Sequence, residues 1–158
     1  MFLNHFKNYL TGNFVAIIVP FLVIPVVTRK LEVEEYALFG LYIALQKLLS
    51  IIVDLGGNSA IQRFYFSNEK ASNLVSVKII LSLFIVSIAF IVITAAYSSI
   101  AQVINIELNL IYLALFCAFC SVLIETRRTN FLVREQSKQF SIFFSSESIF
   151  SGIIILIL

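Results

Sequence analysis

Charge is scarce in this sequence. Asp, Glu, Lys and Arg make up 13% of its 158 residues, about half of the roughly 25% usual for soluble domains. A chain with so little charge cannot clothe a globular surface in water, which excludes the ordinary soluble enzyme or binding module. Histidine occurs once, at His5, and the two cysteines, Cys117 and Cys120, sit inside an apolar run. That C-x-x-C spacing places two small apolar residues on one helical face, with no histidine or further cysteine nearby to make a metal centre or a redox pair. No catalytic residue, metal ligand or cofactor is therefore expected, and no glycine-rich phosphate loop is present to bind ATP. Short alternating apolar and polar segments, the mark of a membrane β-barrel, are missing too.

What the chain has is apolar length. It is 60% hydrophobic with a mean hydropathy of +1.01. Five segments, at about 9–28, 37–55, 77–97, 108–124 and 140–158, reach or approach the ~20 residues that cross a ~30 Å hydrocarbon core at ~1.5 Å per residue. The fold expected is all-α: a polytopic membrane bundle of five transmembrane helices forming one membrane domain over 1–158. The first run follows Lys7, but it is long and has no small-x-small cleavage site, so it reads as an uncleaved first helix and not as a signal peptide.

The formal net charge of +2 is uninformative, whereas its distribution is not. With a cytoplasmic N-terminus, Lys7, Arg63, Lys70, Lys78, Arg127, Arg128, Arg134 and Lys138 fall on the cytoplasmic side, against Arg29 and Lys30 on the other. Eight against two satisfies the positive-inside rule. Lys47 is left within the membrane, near the middle of its segment, where a lysine costs ~2.5–3.5 kcal/mol on insertion scales and usually faces a bundle interior or a wet cavity.

The stretch 47–66, KLLSIIVDLGGNSAIQRFYF, concentrates the chemistry. Lys47, Ser50 and Asp54 share one face of a helix, with Lys47 and Asp54 roughly 10 Å apart along the axis, too far for a direct ion pair. Leu45, Leu48, Leu49, Ile52 and Val53 form the apolar face. Lys47 is either a cavity-lining cation or a residue that snorkels or pairs with a carboxylate on another helix. Paired glycines and Asn58 then break the helix into a polar connection. Arg63, among Phe64, Tyr65 and Phe66, suits a phosphate at the membrane surface, and positive-inside anchoring accounts for it equally.

Elsewhere the signals are structural. Pro20 and Pro25 each free a carbonyl in the first helix and predict a bend or loosening in its outer half. The third segment is apolar nearly all round apart from Ser82, Ser87 and Thr94. Residues 125–139 read as a basic cytoplasmic loop. The fifth segment carries a small, polar face of Ser141, Ser145, Ser148 and Gly152, suited to close packing or a wet lumen, and Glu147 is a candidate partner for Lys47.

The run Leu55-Gly56, then Ala60-Ile61-Gln62-Arg63-Phe64-Tyr65-Phe66, resembles the N-terminal part of bacterial polysaccharide flippases. So do Pro25-Val26-Val27-Thr28-Arg29 and Leu31-Glu32-Val33-Glu34-Glu35-Tyr36-Ala37, with Ala37 where the family often has glycine. These are Wzx-type O-antigen and capsule exporters, in the superfamily of the multidrug MATE transporters. The resemblance covers essentially the whole chain. It implies two helical lobes around a cationic cavity open alternately to either side, of which this chain supplies most of the first lobe, and hence a fragment. The implied cargo is an undecaprenyl-diphosphate-linked oligosaccharide, with Lys47, Asp54, Arg63 and Glu147 as substrate-binding candidates. Implied partners are this lipid-linked oligosaccharide, membrane lipids, and the polysaccharide polymerase and assembly proteins of the bacterial inner membrane, without nucleic acid. Two alternatives remain open at this level: a MATE-like small-molecule or ion exporter, which would favour acidic cavity residues, and a truncated, non-transporting membrane subunit.

Overall fold

A computed structural model describes residues 2–65, 71–104 and 108–157. Phe66, Lys70 and Leu158, which the expectations above included, lie outside the described residues. The described residues form six helices and no strands: α1 (Phe2–Lys30), α2 (Val33–Asp54), α3 (Gly57–Phe64), α4 (Ala71–Ile104), α5 (Leu108–Val133) and α6 (Ser137–Ile157). Among them, Phe6–Lys30, Val33–Asp54, Asn73–Ala95 and Leu108–Val133 have the length and apolar composition to cross a bilayer. α6 carries the fifth expected segment as a helix of 21 residues. The protein is an all-α membrane helix bundle.

Three boundaries differ from the sequence expectation. The polar connection after Asp54 contains a further helix, α3, whose residues Gly57–Phe64 have one buried position, Ile61, and otherwise polar or small residues apart from the exposed Phe64. Residues 125–133, expected as loop, continue α5, because Thr126, Thr129 and Asn130 are buried against neighbours and so remain helical despite their polarity. The break between α5 and α6 is only three residues long, Arg134 to Gln136. There Glu135 takes a left-handed φ of 55° and the Gln136 amide donates to the Phe131 carbonyl at 3.0 Å, the six-to-one bond that ends many helices. Finally, α1 runs unbroken through Pro20 and Pro25. The Thr28 hydroxyl, 3.1 Å from both the Ile24 and Pro25 carbonyls, supplies a donor near the second proline.

Local signals set the other ends. Arg29 and Lys30 close α1, where a cation meets the partial negative charge of the helix C-terminus. Glu34 and Glu35 open α2, and the Glu35 carboxylate accepts the Glu32 amide at 3.0 Å, one half of a capping box. Within the spans, hydroxyls mostly donate to carbonyls of their own helix, as Ser50 does to Gln46 and Ser148 to Phe144, so that they enter apolar surroundings already satisfied.

The chain divides into two compact units, one of 1–38 with 130–158 and one of 39–129. In the first, α1 and α6 pack side by side in the same direction. The Asn8 amide donates to Ser137 at 3.2 Å, and the Tyr9 and Phe140 rings meet edge-on at 5.2 Å. Gly12 abuts Ser141 and Gly152 abuts Val19, which places the small face of α6 in close helix contact. In the second, Val53, Leu115 and Val122 form the core, with Leu49, Ile85, Val86, Ala89, Ile93 and Phe119 around them. Leu48 and Ile52, on the same apolar side of α2 in the sequence reading, are exposed at the surface that a bilayer would cover.

Candidate functional site

The site lies in the second unit and begins with an acid in an unfavourable place. Asp54 is in the last turn of α2, where the unpaired carbonyls already carry partial negative charge. It persists because the chain folds back on it. Leu55 and Gly56 both take left-handed conformations, φ 44° and 71°, and this reversal starts α3 with Asn58 against the acid. The Asn58 amide donates to Asp54 Oδ1 at 2.8 Å, and the Lys78 ammonium pairs with the same oxygen at 2.8 Å.

Lys78 comes from α4 and is 5% exposed. Its ammonium also donates to Asn58 Oδ1 and to Thr126 Oγ1 of α5, so α2, α3, α4 and α5 converge on one charge. The Thr126 hydroxyl in turn donates a hydrogen bond to the Val122 carbonyl at 2.7 Å. This is a correction to the charge distribution drawn from sequence. Lys78 is no surface cation of the cytoplasmic side, and α4 is not merely a packing helix. Its sequence signal was legible: Lys78 and Ser82, both buried, are four residues apart and therefore share a face in an otherwise apolar run.

A cavity of about 450 Å³ opens beside this network. Gln46, Lys47, Ser50, Asp54, Asn58, Ser121 and Glu125 line it with Ile51, Gly56 and Val122. The polar stripe Lys47, Ser50, Asp54 thus faces one space. Because α2 starts at Val33, Lys47 stands about one turn from the helix middle, toward Asp54. Gln46 bridges to α5, its amide donating to Ser121 at 3.0 Å.

Electrostatically, the two carboxylates on the wall are both engaged. Asp54 is held by Lys78, and Glu125 by Arg128 at 2.7 Å. Lys47 is exposed to the cavity and, among the described residues, makes no ion pair. Of the sequence candidates, Lys47 and Asp54 are therefore brought together. Arg63 is exposed on α3, its guanidinium 5.8 Å from the centre of the Phe64 ring, and is not part of the cavity wall. Glu147 is half-buried on α6, in the other unit. Glu125, Asn58 and Lys78 are the residues that sequence reasoning passed over, two of them because they were assigned to loop or turn.

A family model described as polysaccharide biosynthesis protein matches residues 4–158. Protein 1 of the Lsg locus of Haemophilus influenzae is 41% identical over 68 residues, which are 42% of this chain and 17% of that protein. The match thus spans about one-sixth of the length of this curated relative. No solved structure matches the chain at a significant level.

Proposed function

The chain belongs to the polysaccharide biosynthesis protein family, and from that premise we propose that it forms part of a carrier that moves a lipid-linked oligosaccharide across the bacterial cytoplasmic membrane. The cargo we infer is an undecaprenyl-diphosphate-linked glycan bound for O-antigen or capsule. Its partners are then the surrounding lipids and the polymerase and assembly proteins that use the glycan. The role is transport and not catalysis.

One observation carries this reading: Lys47 faces the cavity as an uncompensated cation while both wall carboxylates are already paired. A diphosphate leaving the headgroup layer loses hydration, and a fixed ammonium in a low-dielectric wall offsets part of that cost. The half-buried amides and hydroxyl of Gln46, Ser50 and Asn58, which line the same space, add hydrogen-bonding groups for the headgroup or the first sugar. A cation exporter would need the reverse arrangement, free carboxylates and no free ammonium.

The test is surface glycan in cells whose only copy of the gene carries a substitution at Lys47. Lys47→Ala should remove export at unchanged membrane level, and Lys47→Arg should keep part of it, since the charge survives. Glu147→Gln added to Lys47→Ala should not rescue. Normal export by Lys47→Ala, or rescue by the second change, would overturn the proposal.

A further inference from the structure

Lys78 is buried and does not line the cavity, yet it holds Asp54, one of the two carboxylates that do. An ammonium has three N–H donors. At Lys78 they are matched by Asp54, Asn58 and Thr126, on three different helices. Gly57 completes the housing: a Cβ there would lie 2.9 Å from Lys78 Cε and 3.0 Å from its Cγ, so the lysine stem occupies the space that a side chain would take. Asp54, by contrast, reaches the cavity, 22% exposed, and uses Oδ1 for both of its contacts.

The charged groups at the cavity are Lys47, Asp54 and Glu125 on the wall, with Lys78 and Arg128 behind the two acids. As built, the set carries one net positive charge, located at Lys47. Without Lys78, Asp54 would face the same space unneutralised and cancel it. We propose that Lys78 is a specificity-determining residue: by neutralising Asp54 from behind the wall, it keeps Lys47 as the effective charge and makes the cavity select an isoprenyl diphosphate over the uncharged isoprenoid. This rests on the reading that the cavity takes an anionic lipid-linked headgroup, and adds the residue that enforces the selection.

The size of the effect follows from distance. Asp54 and Lys47 are seven residues apart on one helix, roughly 10 Å, where a unit charge at an effective dielectric of about 20 changes binding of a singly charged group by on the order of tenfold. A diphosphate carries more than one charge and should respond at least as strongly.

The experiment measures binding of farnesyl diphosphate and of farnesol to the purified full-length protein. Lys78→Met should weaken farnesyl diphosphate binding by about tenfold or more and leave farnesol unchanged. Adding Asp54→Asn should restore the diphosphate to within about threefold, because the neutral pair no longer opposes Lys47. Asp54→Asn alone, which keeps the lysine and removes its counter-charge, should tighten diphosphate binding severalfold. This variant also decides the matter if Lys78→Met fails to fold, since a merely structural lysine gives no gain. Unchanged diphosphate binding in Lys78→Met, an unrescued double variant of normal thermal stability, or no gain in Asp54→Asn would overturn the proposal. Lys47→Ala separates it from its premise. If Lys47→Ala weakens the diphosphate and the Lys78 series does not follow the pattern, this inference alone fails; if wild type ignores the diphosphate or Lys47→Ala binds it normally, both fail.

Discussion

At position 57 the chain has a glycine as the first residue of α3, although alanine is the better helix former. The reason is Lys78, whose methylenes lie where the missing Cβ would be. Buried cations persist when hydrogen bonds and a counter-charge surround them, and removing one partner leaves an uncompensated charge. Gly57→Val should therefore displace the lysine stem and pull its ammonium off Asp54 and Asn58. We expect a loss of roughly 1–3 kcal/mol, read as a lower thermal unfolding temperature in detergent. Lys78→Met in the same protein should return part of it, because a shorter, uncharged stem yields more easily. Equal losses with and without the lysine change would show that Gly57 is needed for another reason. None of this was visible at residue 57 in the sequence, where two glycines and an asparagine announce only a turn; the contact partner is 21 positions further on.

Among the helices, α1 and α6 show how small residues substitute for hydrophobic driving force in a membrane. Lipid tails are as apolar as leucine, so spans associate by fitting closely. Gly12 meets Ser141, and Gly152 sits against Val19, where a Cβ would come within 2.5 Å of a valine methyl. Valine is stiff about χ1 and cannot swing that methyl away cheaply. Gly152→Ala should separate the two helices and lower the unfolding temperature, by an amount corresponding to about 1–3 kcal/mol. Val19→Ala should recover most of that loss. If Gly152→Ala is neutral, the pair does not hold the first unit together. The small face of α6 was legible as Ser141, Ser145, Ser148 and Gly152 at helical spacing, but its partner was not. Spacing identifies a face and leaves open what lies on it.

For the whole molecule, orientation follows from charge. With Lys78 buried, the distribution becomes seven cations against two, and on the positive-inside rule we expect the N-terminus and the α5–α6 turn in the cytoplasm. In a background without Cys117 and Cys120, Lys138→Cys on exposed Lys138 should resist an impermeant thiol reagent added to intact cells, and Arg29→Cys should react. The opposite labelling would invert the protein. The sequence by itself determined the class, the helical character of the apolar segments and the shared face of Lys47, Ser50 and Asp54, because apolar length and a 3.6-residue period are properties of a single segment. It also carried the family resemblance that the match over residues 4–158 bears out. Only the tertiary structure decided that α5 continues through Glu125 to Val133, since burial of Thr126, Thr129 and Asn130 overrode their polarity. It alone decided, too, that Asp54 belongs to Lys78, leaving Lys47 unpaired among the described residues: four helices, α2 to α5, must meet before an ammonium at position 78 can choose the carboxylate at 54.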